Sequence, residues 1–416
     1  MENISEYLKE LCTEARSAQA LLAQSSDTKR NEALEAIAVS IVKRADDIIN
    51  ANKLDLEAAE SAGLSKAMCD RLMLDLARIE KLAASVRKLK ALPDPLGKSE
   101  GWTRPNGLMI ERVSVPLGNV AVIYEARPNV TVDVAAICLK SGNAAILRGG
   151  KEAYNTNIAL EEVIKSALES SGLPGALVSL VHDTSREGSN ILMRLNGYID
   201  VLIPRGGKGL ISAVVENASV PVIETGAGNC HIYVDEFADI QKALDIVINA
   251  KVSRPSVCNA AEKLIVHKNI ADEFLPIAAK ALCDNNVELR GDERVRGIIK
   301  ANPALDDDLT REYNDYIISI YVVDSLDCAI AHINAYSTGH SEAIVTENAE
   351  NAQAFLDRIN SAAVYHNAST RFTDGEEFGF GAEIGISTQK LHARGPFALE
   401  GLTTIKYRIR GNGQIR

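Results

Sequence analysis

The chain has 416 residues, 46% hydrophobic and 24% charged, with a formal net charge of −11. This length calls for two or three domains around sizeable cores, and the acidic balance argues against a nucleic-acid or anionic-membrane partner. No apolar run approaches a membrane span, and the mixed-charge N-terminus MENISEYLKELCTEARSAQ has no signal-peptide core.

From about Ile4 to Leu92 apolar residues recur at helical spacing, which predicts three helices stopped by the Pro93-Asp94-Pro95 turn. GLMIERVSVPLGNVAVIYEARP then reads as strands and a hairpin, punctuated by Gly107 and Pro116-Leu117-Gly118. The middle alternates. A strand at Asn143–Arg148 precedes a helix over NTNIALEEVIKSALESS that ends at Gly172. LVSLVHD, IDVLIPR and PVIET read as strands, separated by helices over SREGSNILMRLN and GKGLISAVVENA. Such alternation implies right-handed βαβ units and a parallel, doubly wound sheet. A second α/β series starts at about Phe237, with helices over ADIQKALDIVINA, IADEFLPIAAKAL, SLDCAIAHINAY and NAQAFLDRIN, and strands over KLIVH, IISIYVV, EAIVT and AAVYHN. The closing LTTIKYRIRGNGQIR alternates apolar and basic residues like an edge strand, and no internal repeat occurs.

The cysteines are Cys12, Cys69, Cys138, Cys230, Cys258, Cys283 and Cys328. Their odd count and wide spacing, without a CxxC pair, fit a reducing compartment, so a cytoplasmic protein is expected. The seven histidines form neither HExxH nor HxxH, and no metal is expected. Cys258, in KVSRPSVCNAAEKLIVH, follows a helical stretch and Pro255, with Arg254 four residues upstream. A nearby cation favours a thiolate nucleophile, although most lone intracellular cysteines are small core residues.

Two glycine-rich turns, LRGGKEAYNTN (Leu147–Asn157) and PRGGKGLIS (Pro204–Ser212), each follow a strand and open a helix. That arrangement presents backbone N–H groups to phosphate, or is an ordinary loop needing glycine angles. Neither matches GxGxxG or a P-loop, but two in consecutive units, each with Lys and Arg, favour a nucleotide. VYHNAST (Val364–Thr370) and LHARGPFALEGLTTIKY (Leu391–Tyr407) offer polar loop residues that either hold a substrate or are solvated turns.

VPLGNVAVIYEARPNVTVDVAAICLKSGNAAILRGGKEA, VIETGAGNCHIYVD, SRPSVCNAAEKLIVH and ARGPFALEGLTTIKY occur in that order, and with VDSLDCAIAHINAYSTGHSEAI (Val323–Ile344) they resemble the glutamate-5-phosphate reductase family of the aldehyde dehydrogenase superfamily. The resemblance spans nearly the whole chain. It implies an α/β, aldehyde dehydrogenase-like fold: a Rossmann-type cofactor domain, a second α/β catalytic domain and a small oligomerisation element. The expected boundaries are 1–235 for the cofactor domain (a hairpin at about 97–117 belonging to the oligomerisation element), 236–390 for the catalytic domain, and 391–416 for a return to the cofactor domain and an oligomerisation strand.

The implied activity is that of a phosphorylating glutamate-5-semialdehyde dehydrogenase. NADPH would reduce L-glutamyl 5-phosphate to L-glutamate 5-semialdehyde, releasing phosphate, in proline biosynthesis. A homo-oligomer and a functional link to glutamate 5-kinase are expected. Cys258 falls at the superfamily's nucleophile position. Arg148, Gly149, Lys151, Arg205, Gly206, Gly207, Glu224 and Glu312 are the expected cofactor residues, with Glu312 matching the glutamate that holds the nicotinamide ribose. Arg127, Asn129, Arg254, His366 and Asn367 are the expected substrate residues. Hydrolytic relatives carry an oxyanion-binding Asn in a PWN-like turn, whereas this chain reads YEARPN with Asn129 displaced; the Cys258 backbone N–H is then the candidate oxyanion donor. Two other readings are a hydrolytic aldehyde dehydrogenase, which Glu224 permits, and a non-catalytic relative, which would lack Cys258.

Overall fold

Five helices open the chain where apolar spacing alone predicts three: α1 (Ile4–Leu22), α2 (Asp27–Lys43), α3 (Ala45–Ser61), α4 (Lys66–Leu72) and α5 (Leu76–Lys90). Polar caps cut the periodic stretch. The side chains of Ser26, Ser65 and Asp75 accept from the backbone N–H groups of Lys29, Met68 and Arg78, and each starts a new helix. The structure, a computed structural model, describes residues 4–416, apart from the side chains of Lys66, Ala67 and Lys208. By internal contacts the chain divides into two units, Met1–Glu224 with Phe380–Gly385 and Phe397–Arg416, and Thr225–Gly379 with Ile386–Pro396.

In the first unit β1 (Ser99–Thr103) and β2 (Met109–Pro116) form the hairpin, pairing antiparallel from Ser99↔Val113 to Thr103↔Met109. The next strand, β3 (Asn119–Tyr124), is buried at every position and does not pair with β2. Gly118, at φ +129, turns the chain away instead; a Cβ there would lie 2.1 Å from Asp200 Oδ2. β3 joins β4 (Ala144–Gly149), β5 (Val178–Leu180) and β6 (Val201–Arg205) in a parallel sheet of order β5-β4-β3-β6. α6 (Asn129–Lys140), α7 (Tyr154–Ser170) and α8 (Arg186–Leu192) alternate with these strands, and α9 (Lys208–Asn217) follows β6. The chain runs outward from β3 and returns to its other side, so the topological switch point lies between β3 and β6. Ligands of open α/β sheets bind at the carboxyl ends of strands at such a point. PVIET forms no strand, only an isolated bridge between Val222 and Leu202.

The second unit is a seven-stranded parallel sheet built from β7 (Cys230–Val234), β8 (Ala261–His267), β9 (Glu288–Gly291), β10 (Asn302–Pro303), β11 (Ile317–Val323), β12 (Ser341–Val345) and β13 (Ala363–His366). Its order is β10-β9-β11-β8-β7-β12-β13. β7 starts this unit before the expected start at 236, and β9 and a short helix, α12 below, add to the expected series. α10 (Ile240–Val252), α11 (Lys268–Asp284), α12 (Glu293–Ile298), α13 (Leu326–Tyr336) and α14 (Ala349–Arg358) connect the strands. One core cluster packs Val247, Phe274 and Leu282 onto β7, β8 and β11, and another gathers Tyr233, Ile330 and Phe355. Two short strands, β14 (Gly385–Ser387) and β15 (Gly395–Phe397), fall where the chain passes between the units. Finally β16 (Thr403–Arg410) pairs antiparallel with β2 of its own chain, from Thr403↔Pro116 to Arg410↔Met109. Ile405, Tyr407 and Ile409 are exposed on it.

Candidate active site

Cys258 lies in the loop between α10 and β8, half-buried, at the amino-terminal edge of the second sheet. Its backbone is held from behind. A Cβ on Gly228 would come within 1.4 Å of the Cys258 carbonyl oxygen, so only glycine fits, and the Cys230 thiol donates to that oxygen at 3.2 Å. Burial raises the pKa of Cys230 well above normal, and nearby Glu342 and Cys258 add to this, so Cys230 stays a protonated donor.

The next residue, Asn259, fastens a second segment. Its amide donates to the carbonyls of Thr373 at 2.9 Å and Arg371 at 3.3 Å, and its own carbonyl accepts from Thr370 Oγ1 at 2.7 Å. Arg371 thereby comes to the Cys258 loop, its guanidinium bonded to Ser253 Oγ at 3.0 Å and to Asn259 Oδ1. Burial, then the charge of Arg254, lowers the Arg371 pKa; Asp374 and the Cys258 thiolate oppose that shift. An Arg371 charge within electrostatic reach of the thiol, with Arg254 acting on Arg371 in turn, favours thiolate and anionic substrate groups. Arg254 enters the site through its charge on Arg371. Arg371 is missed by the sequence, 113 residues from Cys258 and marked by no motif.

Glu312 sits between β10 and β11, and its carboxylate accepts the Gly228 N–H at 2.8 Å. Buried charges fix its segment. Lys263 Nζ donates to the Arg311 carbonyl at 2.7 Å, Glu262 accepts the Asn314 N–H at 3.1 Å, and Lys251 pairs with Glu262 at 3.0 Å. Burial drives the Lys263 pKa down to about 8, with Glu262 pulling it back up.

His366 and Asn367 do not join this site. His366 pairs with Ile344, in the row of Tyr233, three residues beyond Cys230, which puts it about 10 Å along the strands from the Cys258 edge. Their polar groups are also used: His366 Nε2 bonds the Thr346 carbonyl at 2.9 Å, and Asn367 Nδ2 donates to it at 3.0 Å.

The first unit carries the remaining residues. Arg205 ends β6 at the switch point, and Gly206–Gly207 open α9. The Gly207 N–H donates to Glu125 Oε2 at 2.8 Å, and a Cβ on Gly206 would meet that oxygen at 2.6 Å. Glu125, absent from the sequence reading, thus occupies the anion-type position at the α9 N-terminus. The side chain of Lys208 lies outside the described residues. Gly149 serves packing, since a Cβ there would lie 2.2 Å from Asn157 Nδ2. Arg148 is tied down rather than projecting freely: NH2 donates to the carbonyls of Thr184 at 2.6 Å and Ser185 at 3.0 Å, while Nε is buried without a partner. Lys151 is exposed beside it. Asn129 starts α6 and donates to Asp133 Oδ2 at 3.0 Å; burial raises the Asp133 pKa to about 6, against the opposing Asn129 bond. Arg127 lies in the loop before α6, and Glu224 is the last residue of the unit's first segment. None of the seven cysteines is joined in a disulfide. Among the described residues no helix is long and apolar enough to cross a membrane, and no group of three His, Cys, Asp or Glu is arranged to hold a metal.

A parallel α/β unit with a glycine-opened helix at its switch point, followed by an α/β unit with a backed cysteine, is the plan of an aldehyde dehydrogenase. The chain matches the aldehyde dehydrogenase family over residues 3–297 and 309–406, and it belongs to that family. It is 58% identical over 404 residues to the γ-glutamyl phosphate reductase of Clostridium beijerinckii, covering 97% of this chain and 98% of that one. The γ-glutamyl phosphate reductase of Moorella thermoacetica is also 58% identical over 404 residues, 97% of each chain. The crystal structure of the Thermotoga maritima γ-glutamyl phosphate reductase superposes with a TM-score of 0.97 at 48% identity, covering 98% of this chain and 99% of that one. Within the family, this chain stands among the γ-glutamyl phosphate reductases.

Proposed function

We propose that the chain reduces L-glutamyl 5-phosphate to L-glutamate 5-semialdehyde with NADPH, releasing phosphate, as a step of proline biosynthesis in the cytoplasm. The observation that supports this most is the Cys258 loop, a half-buried thiol with its carbonyl clamped and the Arg371 charge within reach. A free carboxylate is too poor an electrophile for hydride reduction, and its mixed anhydride with phosphate has a good leaving group. The Cys258 thiolate attacks the γ-acyl carbon and phosphate departs, leaving a thioester; Arg371 and Arg254 offset the charge of the departing group. When bound, a nicotinamide cofactor would supply a hydride to that thioester. The resulting hemithioacetal on Cys258 collapses to the aldehyde and restores the thiolate, with the Cys258 N–H as oxyanion donor.

The residues present fit a dinucleotide. Gly206 and Gly207 open a helix at the switch point, where a bound phosphate would take the place of the Glu125 carboxylate on the Gly207 N–H, and Arg205, Lys151 and the orphaned Arg148 Nε supply donors. Glu312 would hold the nicotinamide ribose. Lys151, exposed and unhindered by loop carbonyls, is our candidate for the 2′-phosphate of NADPH, with Arg148 bracing the loop after β5. The substrate is an acyl phosphate, so a glutamate-phosphorylating kinase must supply it, which is the proposed link to glutamate 5-kinase. An oxidative assay with glutamate semialdehyde, phosphate and NADP tests the reading. Phosphate-dependent NADPH formation is expected, and phosphate-independent formation of glutamate would instead mark a hydrolytic enzyme.

A further inference from the structure

The segment Tyr336–Glu342 lies within Val323–Ile344, one of the stretches that carry the family resemblance, yet none of its residues touches the chemistry proposed above. Its polar groups grip Asn229–His231. Asn229 is wholly buried. Its Nδ2 donates to two carbonyls, Leu309 at 2.9 Å and Tyr336 at 2.8 Å, and its backbone N–H donates to Thr338 Oγ1 at 3.1 Å. Only an NH2 group satisfies two facing carbonyls, so neither Asp nor an apolar isostere reproduces the arrangement. Glu342 extends the grip, accepting the His231 N–H at 2.7 Å and the Ser337 hydroxyl.

Asn229 therefore stands at a junction. On one side Gly228 presses against the Cys258 carbonyl and donates to Glu312; on the other Cys230 donates to that same carbonyl. Leu309 begins the stretch that leads to Glu312. We propose that Asn229, clamped by the 336–338 loop, is a positioning residue that sets the Gly228–Cys230 backing of the nucleophile and ties it to the Glu312 segment. The inference rests on Cys258 being the nucleophile.

The test uses the full-length enzyme with Asn229→Leu, Thr338→Val, Thr338→Ser and Cys258→Ala. Iodoacetamide alkylation at Cys258 is followed by peptide mass spectrometry from pH 5 to 10, with exposed Cys283 as internal reference, alongside kcat, KM and thermal melting. Asn229→Leu should lower kcat by about 10²-fold, the size that a misplacement of about 1 Å produces. The KM for phosphate should change little, and the Cys258 alkylation midpoint should move to higher pH while Cys283 reacts as before. Thr338→Val should show the same changes in weaker form, and Thr338→Ser, which keeps the hydroxyl, should restore the parent values. If Asn229→Leu does not fold, the Thr338 pair decides. Parent-like kcat and Cys258 profile in folded Asn229→Leu, or identical behaviour of Thr338→Val and Thr338→Ser, would overturn the proposal. Turnover by Cys258→Ala would instead remove the nucleophile reading beneath it.

Discussion

Gly228→Ala is the sharpest perturbation that the site offers. The added Cβ would sit 1.4 Å from the Cys258 carbonyl oxygen and 2.3 Å from its carbon. Both obstacles are backbone, so no side-chain rotation relieves them. The two segments must part by about 1.6 Å to reach 3.0 Å, the shortest approach that real Cβ atoms make. Overpacking of this kind costs about 1–3 kcal/mol of stability. The displacement falls on Cys258, the proposed nucleophile, where an error of about 1 Å lowers turnover by about 10²-fold. Gly297→Ala is the matched control, since Gly297 lies exposed in α12 and a Cβ there would meet nothing within 4 Å, so Ala should stabilise by up to about 1 kcal/mol. The assay is kcat in the oxidative direction together with thermal melting of both variants. A Gly228→Ala protein that melts near the parent temperature and keeps more than half of its kcat would refute the claim that this contact places Cys258.

Lys151→Ala should raise the KM for NADPH far more than that for NADH, whereas Arg148→Ala, which frees the loop after β5, should raise both; steady-state kinetics with the two cofactors distinguish them. Truncation after Thr404 removes β16 and bares the edge of β2, and we expect it to convert a homo-oligomer into a monomer by light scattering, because β16 exposes Ile405, Tyr407 and Ile409 and has one edge open. Burial lowers the pKa of His340 to about 4 from 6.5, so the unfolded chain binds more protons between those values and stability falls as pH drops through that window. That loss amounts to at most about 3 kcal/mol for this group. Denaturant titrations at pH 7 and pH 4.5 should show it, with a smaller difference in His340→Gln; an equal difference would assign the effect elsewhere.

Much of the α/β order was legible because buried parallel strands are unbroken apolar runs, as in AVIY, KLIVH and IISIYVV. What failed was local punctuation. Ser26, Ser65 and Asp75 look like ordinary polar positions in a helical pattern until their side chains are seen to cap. Gly118 reads as a hairpin turn, yet it directs the chain into a different sheet. Cys258 is singled out as the candidate nucleophile only through the family resemblance, and its setting was not legible. Arg371 and Asn229 reach it only through tertiary contacts, and no local pattern encodes those. His366 and Asn367 show a subtler limit. Cys258 precedes a strand and His366 ends one, and in a parallel sheet those positions lie at opposite edges. Arg148 is expected among the cofactor residues, but the carbonyls of Thr184 and Ser185, brought in by β5, occupy its guanidinium.

The most direct measurement is intact-protein mass spectrometry of the enzyme mixed with L-glutamyl 5-phosphate without NADPH and quenched in acid. A γ-glutamyl adduct should form, with fragmentation placing it on Cys258 and on none of the other six cysteines, and it should vanish when NADPH is added or when Cys258 is replaced by Ala. Substantial turnover by Cys258→Ala, or an adduct on another residue, would contradict covalent catalysis by Cys258.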